Sequence, residues 1–406
     1  MKKHIGIIGG GAAGMMAAVT AARKGTKVTI LERNDRIGKK ILQTGNGKCN
    51  LGNRNLTVEC YHGGDAAWIK QALERFGTED TVCFFQKIGL LIKEKNGYLY
   101  PVSEQAASVL DVLRYELQTL GVEIIYGCKV QKVERTLSGK LVVNDGDREW
   151  QFDAVILTCG GKAAPGTGSD GSGWKIAKKA GHTCIAPVPA LVQLRCLETD
   201  LLKGIAGVRA DSRVRILCDG RETDVERGEL QLTEYGISGI PIFQLSRDVN
   251  YLLRDRKTVM AEIDFLPDMT EESKETRRML QEKRTAEEFF TGILNKKLMS
   301  VFLKIAGIKP TTPAVEIPED KINTFYELCR CFRLHITESN PYENAQVAAG
   351  GIAVTEVTED MESKLCPGLY FAGEILDVDG RCGGYNLQWA WSSGFIAGCS
   401  AAIKTE

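Results

Sequence analysis

The stretch HIGIIGGGAAGMMAAVTAARKGTKVTILERN, His4 to Asn34, reads as strand, glycine turn, helix and second strand, which together make a βαβ unit. Gly9, Gly11 and Gly14 hold the G-x-G-x-x-G spacing between the strand and the helix. That spacing supplies a tight turn, a close backbone approach to a pyrophosphate, and close packing of helix on strand. The positive end of the helix then faces the phosphates. Glu32 ends the second strand about 20 residues beyond the glycines, where a carboxylate can accept from adenosine ribose hydroxyls. A ribose phosphate would be repelled there, so the pocket suits FAD or NAD better than NADP. The unit predicts an α/β, Rossmann-type domain.

Six residues after the acid comes GKKILQTGNGKCN, Gly38 to Asn50. A glycine loop with a lysine suggests a nucleoside-triphosphate P-loop, but Leu42 and Cys49 stand where that motif needs a glycine and a Ser or Thr. Leaving the same sheet edge as Glu32, the loop is expected to clasp the middle of the same ligand. Lys39 and Lys40 are placed for phosphate charge, while Thr44, Asn46 and the backbone amides suit ribityl or ring atoms. The alternative is a solvated basic loop.

The chain has 406 residues, 43% of them hydrophobic, and a formal net charge of zero, enough for two or three domains. No basic excess suggests nucleic acid and no acidic tail suggests a basic partner. MKKHIGIIGG enters a strand at once without a signal-peptide pattern, and no apolar run is long enough to span a membrane. The 13 cysteines are scattered, odd in number and lack any C-x-x-C pair, which fits a reducing cytoplasm better than a disulfide framework or a zinc site. Cys329-x-Cys331 is read as packing, and no metal is expected.

Further along, Ser103 to Gly121 shows helical periodicity and VEIIYGCKV reads as a strand. A β meander follows and ends in an apolar strand that runs into Cys159, Gly160 and Gly161, whose glycines let the backbone pass close to a cofactor. A second G-x-G-x-x-G at Gly166, Gly168 and Gly171 is separated from its strand by KAAP and has no acid in register, so one dinucleotide site is expected, not two. From about Pro187 to Pro267, ALVQLRC, SRVRILCDG, GELQLTEYGISG, PIFQLSRDV and VMAEIDF read as short alternating strands of an inserted barrel or sandwich. The charged segment that follows carries a stripe through Leu280, Phe289, Leu294, Leu298 and Phe302, which predicts a helical lobe. The expected domains are 1–188, an FAD-binding first piece; 189–267, β-rich; 268–336, helical; and 337–406, the second FAD-binding piece.

That last piece holds GLYFAGE, an apolar strand ending in Gly373 and Glu374, then a glycine loop and a helix from Asn386 to Ile403. Amides at Asn386 and Leu387 would face the flavin N1 and C2 oxygen, stabilising negative charge on the reduced ring. Gly350 and Gly351 would bring backbone against the ring as well. The alternative is a plain core helix behind a flexible loop, with Trp389 and Trp391 as core residues.

TGNGKCN, GGKAAPGTGSDGSGWKIAKKAGH, TEYGISG, MESKLCPGLYFAGEILDVDG and GGYNLQWAWSSG, in this order along nearly the whole chain, resemble the BaiN-like (YhiN-like) flavoproteins, also labelled aminoacetone-oxidase-type FAD-binding enzymes. The resemblance implies a glutathione-reductase-type FAD domain in two sequence pieces, interrupted by a β-rich and a helical insertion. It implies FAD contacts at Gly9, Gly11, Ala12, Ala13, Gly14, Glu32, Arg33, Lys40, Thr44, Gly45, Asn46, Gly47, Lys48, Asn50, Val130, Gly160, Gly373, Glu374, Asn386 and Leu387, to which the residues themselves add Lys39, Cys159 and Gly161. Glu374 stands where many FAD enzymes have Asp, one methylene shorter. As to reaction, the resemblance implies either a reductase of carbon–carbon double bonds in 3-oxo steroid, bile-acid-type intermediates, which with NAD(P)H as donor is the first reading, or an oxygen-using amine oxidase. A non-catalytic FAD-bound regulator is the third reading. Tyr385 is the candidate donor to the substrate carbonyl by position, with helix-entry packing as its other reading.

Overall fold

The structure, a computed structural model, describes residues 2–278 and 281–403. Two compact units divide the chain: Met1–Val188 with Gln346–Glu406, and Pro189–Ala345. In the first unit a five-stranded parallel sheet runs in the order Leu369–Phe371, Ala154–Leu157, His4–Ile8, Lys27–Leu31, Glu123–Ile125. Ile7 pairs with Ile156 on one side and Ile30 on the other, and all three side chains are fully buried. Continuous apolar runs of this kind belong to parallel strands covered on both faces. The outermost part of the meander, Lys132–Arg135, Leu141–Asn144 and Glu149–Phe152, forms its own antiparallel sheet.

Two helices of the first unit touch backbone to backbone. A Cβ on Gly394 would lie 2.5 Å from the Ala13 carbonyl oxygen, and one on Gly398 the same distance from that of Ala17. The helix Tyr385–Ala402 can therefore lie directly on the fingerprint helix Ala12–Arg23 only because small residues meet along the seam. Since both contacts advance by four residues, the helices run in the same direction.

The second unit is a closed six-stranded barrel in the order Leu194–Cys196, Gly236–Gly239, Arg221–Leu232, Arg209–Cys218, Val259–Asp264, Phe332–Ser339. Three sequence expectations need amending here. PIFQLSRDV, expected as a strand, lies in the helix Ile240–Arg254; Ile242, Leu245 and Val249 are fully buried at helical spacing, so the apolar stripe outweighs the apparent alternation. The expected return to the first domain at residue 337 falls inside the last barrel strand, which pairs with Val259–Asp264 and with Leu194–Cys196. And the β-rich and helical segments, read separately, share one apolar core in which Val214, Ile263 and Leu334 pack with Phe290, Phe302 and Phe325. Of the expected helical stripe, Phe289, Leu298 and Phe302 are buried in this core and Leu294 packs on it, while Leu280 lies outside the described residues.

One buried histidine sets a pH dependence in the first unit. His182 bonds Glu356 through Nδ1 at 3.1 Å and the Ser363 hydroxyl through Nε2 at 2.7 Å. Burial lowers its pKa from the usual 6.5, with the Glu356 carboxylate opposing the shift. The unfolded chain thus binds the proton first. The His182 contribution is whole above about pH 6.5 and is lost as pH falls through the lower folded value. Melting temperature is expected to drop between pH 7 and pH 5, and His182→Gln to flatten that slope; an unchanged slope in the variant refutes the assignment.

Candidate functional site

The C-terminal ends of the five parallel strands gather most of the residues that the sequence singles out. Gly9 follows His4–Ile8, Glu32 follows Lys27–Leu31, Val130 comes after Glu123–Ile125, Cys159 to Gly161 follow Ala154–Leu157, and Gly373 and Glu374 follow Leu369–Phe371. Open parallel sheets bind ligands at this edge.

Each fingerprint glycine is a glycine for a different reason. Gly9 has φ +105° and a Cβ there would sit 2.7 Å from the Thr158 carbonyl oxygen, so the turn itself demands it. A Cβ on Gly14 would overlap the Gly9 carbonyl oxygen, which is the close helix–strand packing. Gly11 differs: nothing lies within 4 Å of its Cβ position, and its φ of −82° suits any residue. The protein itself does not require that glycine, but a ligand approaching the backbone would.

Around this turn the acids and bases are largely engaged with one another. Glu32 Oε2 accepts from the Gly10 amide at 2.8 Å, and Oε1 accepts from the Asn34 backbone and side-chain N–H groups, both at 2.8 Å. Oε2 takes a single donor and so keeps acceptor capacity for a ribose hydroxyl. Arg33 pairs with Asp170 at 2.5 Å. Burial pushes the Asp170 carboxyl up, but Arg33 and Ser172 outweigh it and hold the group at about 2. The second glycine cluster therefore packs against the first site: the Asn34 side chain also donates to the Thr167 carbonyl, and Arg36, Lys39, Leu42, Gln43, Gly166 and Thr167 line a cleft of about 300 Å³. Sequence reasoning missed Asp170 and Ser169, and the density of glycines at 166–171 was the only local signal. The Ser169 hydroxyl is buried without a hydrogen-bond partner among the described residues, close to Gly160. Burial, with the Glu32 and Asp170 charges, pushes the Cys159 thiol up to about 12, so it stays neutral at physiological pH.

The loop from Ile41 to Gly47 is an irregular turn with left-handed backbone at Gly45, Asn46 and Gly47. Thr44 donates to the Ile41 carbonyl at 2.6 Å. The lysines part company: Lys39 pairs with Asp35 at 2.7 Å, Lys48 with Glu104 at 2.8 Å, and Lys40 with Glu374 at 2.6 Å. Glu374 also accepts from the Ala348 amide at 2.8 Å, so its extra methylene is used to tie the Lys40 loop to the sheet edge. Gly350 and Gly351 are pressed against the protein's own backbone, at Pro187 and at Ile375 to Leu376, where the sequence suggested a ligand ring.

The helix Tyr385–Ala402 has no side-chain cap, and its N-cap Gly384 has φ +94°. By the seam with Ala13 and Ala17 its N-terminus lies roughly 12 Å beyond that of the fingerprint helix, from the 1.5 Å rise per residue. Two positive helix ends thus point the same way at one sheet edge. Gly373 is held from this helix, its N–H donating to the Ser393 hydroxyl at 2.9 Å and its carbonyl accepting from Trp389 at 3.2 Å. The Asn386 side chain closes the preceding loop by bonding both backbone groups of Gly380. That leaves the uncapped backbone amides, not this carboxamide, to meet a ligand. Asn50 Oδ1 is buried beside Gly384 with no partner among the described residues. Tyr385 donates to the Asn55 carbonyl at 3.3 Å. Burial and Cys60 raise its pKa.

Open space at the Gly11 Cβ position, orphaned polar atoms at Ser169 and Asn50, and two uncapped helix ends all fit a dinucleotide. The description "HI0933-like protein Rossmann domain" matches residues 3–400. The chain belongs to that family. Its fold is the Rossmann-type FAD-binding fold carrying a closed six-stranded barrel. Over 410 residues, 99% of each chain, it is 44% identical to the 3-dehydro-bile acid delta(4,6)-reductase of Clostridium scindens. Over 407 residues, 98% of each chain, it is 31% identical to the ribosomal RNA dihydrouridine synthase of Haemophilus influenzae. Among solved structures it is similar to a 3-ketosteroid-delta4-(5alpha)-dehydrogenase from Rhodococcus jostii, at 17% identity and a TM-score of 0.48, covering 99% of this chain and 97% of that one. Among the described residues, no helix is long and apolar enough to cross a membrane.

Proposed function

We propose that this protein is an FAD-dependent reductase of carbon–carbon double bonds conjugated to a carbonyl, acting in the cytoplasm on 3-oxo bile-acid-type steroids with NAD(P)H as donor. The observation that carries the reading is 44% identity across 99% of both chains to a bile acid delta(4,6)-reductase. FAD bound at the sheet edge would accept a hydride from reduced nicotinamide and deliver it to an electron-poor carbon. The chain's own groups have separate tasks. Gly11 and the first amides of the fingerprint helix receive the pyrophosphate, and Glu32 Oε2 receives a ribose hydroxyl. The uncapped amides at Asn386 and Leu387 lower the cost of negative charge placed before them. Lys40, held by Glu374, keeps the loop to Asn50 closed over the same edge.

The relative from Haemophilus influenzae favours a second reading, reduction of a uracil ring in RNA, which saturates a double bond of the same kind beside a carbonyl. A zero formal net charge supplies no basic excess for a phosphate backbone, so the steroid reading stands first.

The test is anaerobic mixing followed at the flavin absorbance. NADH or NADPH is expected to bleach the flavin slowly, and a 3-oxo-4-ene bile acid to restore it faster than air does. Restoration by unmodified ribosomal RNA and not by the steroid selects the second reading. Bleaching by aminoacetone or an amino acid, with air restoring the colour at once and NAD(P)H inert, turns the protein into an oxidase.

A further inference from the structure

Tyr61, Tyr98 and Tyr385 meet at the start of the terminal helix and Tyr100 follows Tyr98 on its strand, and the four hydroxyls are in different states. Tyr61 is buried and donates to the Tyr385 carbonyl at 3.0 Å; Tyr385 donates to the Asn55 carbonyl at 3.3 Å. Both protons are committed to backbone. Tyr98 and Tyr100 alternate with buried Leu99 along the strand Tyr98–Pro101 and share its other face. Neither phenol has a hydrogen-bond partner among the described residues. A Cβ on Gly383 would lie 3.0 Å from the Tyr98 ring edge and 3.2 Å from the Tyr385 ring edge. The Tyr100 ring edge lies 4.0 Å from the Cβ position of Gly45, in the loop that precedes Asn50.

We propose that Tyr100 is the proton donor to the substrate carbonyl, an assignment that rests on the reductase reading above. It is half-buried on a regular strand, its ring edge beside the left-handed loop from Gly45 to Gly47. Two residues away on the same strand face, Tyr98 reaches Gly383, in the turn that opens the helix whose amides would face the flavin ring. Burial, with Tyr98 and Cys382 adding, raises the Tyr100 pKa from 10.0, so the phenol keeps its proton at neutral pH. In the step assigned to it, hydride from the reduced flavin forms a C–H bond at the β-carbon, and the alkene π pair shifts toward the carbonyl. The carbonyl oxygen takes the Tyr100 proton to give an enol. Tautomerisation then places a solvent proton on the α-carbon and returns the enol proton to the phenolate. The sum is one hydride and one proton added across the double bond.

The test uses Tyr100→Phe, with Tyr98→Phe as a control on the same strand face. Tyr100→Phe is expected to retain FAD and to be bleached by NAD(P)H within about 2-fold of wild type, whereas reoxidation by a 3-oxo-4-ene bile acid falls on the order of 10²–10⁴-fold. Independently of turnover, the carbonyl stretch of the enone bound to oxidised wild type is expected at lower frequency than in solution, and this shift is expected to vanish in Tyr100→Phe. Tyr98→Phe keeps both signals. Wild-type reoxidation and an intact carbonyl shift in Tyr100→Phe overturn the assignment, as does a loss confined to Tyr98→Phe. If wild type is bleached by NAD(P)H but neither binds nor is reoxidised by the enone, the reductase reading fails first and takes this role with it.

Discussion

Valine in place of Gly11 is expected to give a folded, colourless protein. The Cβ position at Gly11 has no atom within 4 Å and its φ is ordinary, so the added Cβ meets neither overlap nor backbone strain. It fills the space where a pyrophosphate must approach the helix amides. FAD affinity should fall by at least about 100-fold, or about 2.8 kcal/mol, while melting of the FAD-free protein stays within a degree or two of its wild-type counterpart. Valine at Gly14 should behave in the opposite way, because its Cβ overlaps the Gly9 carbonyl oxygen and the chain loses the turn itself. Isothermal titration with FAD and far-UV circular dichroism separate the two. Tight FAD binding by Gly11→Val would place the phosphates elsewhere and remove the fingerprint reading.

A large loss of stability is expected from Gly394→Val. Its Cβ would sit 2.5 Å from the Ala13 carbonyl oxygen and 3.1 Å from the Ala13 Cα, atoms of backbone that cannot rotate away. The terminal helix would have to lift from the fingerprint helix, freeing Gly373 from Ser393 and Trp389 and moving the amides of Asn386 and Leu387. A cost of roughly 3–5 kcal/mol, or failure to fold, is the expected result by urea denaturation, with Gly394→Ala in between. Wild-type stability in Gly394→Val would mean that the two helices are not packed along this seam. The same seam explains why removing the last 60 residues is expected to abolish FAD binding although the fingerprint remains.

Much of the candidate site lies at turns whose local chemistry is legible. Gly9 and Gly11 sit between a buried strand and a helix and Gly14 lies in that helix's first turn, and no distant contact is needed to see what that spacing does. The barrel strands at 209–218, 221–232 and 259–264 were legible by alternation. The helix Ile240–Arg254 was not, because PIFQLSRDV carries apolar residues that satisfy both periods, and only a core on one side decides between them. The lysines show the same limit. Lys39, Lys40 and Lys48 look alike as phosphate-charge residues, and what separates them is whether Asp35, Glu374 or Glu104 is within reach.

The βαβ unit with its glycine fingerprint, the excluded P-loop and the family were legible in the chain alone, because each depends on residue types at short, fixed spacing. Folding in three dimensions is what makes Glu32 brace its own turn, Glu374 anchor Lys40, the second glycine cluster wall the first site, and Phe332–Ser339 close the barrel. It also committed the Tyr385 proton to backbone and left that of Tyr100 without a partner among the described residues. Those outcomes turn on which donor meets which acceptor across separations such as Lys40 to Glu374 or Tyr385 to Asn55, and sequence periodicity carries information about burial of a segment but none about the partner that arrives from elsewhere in the chain.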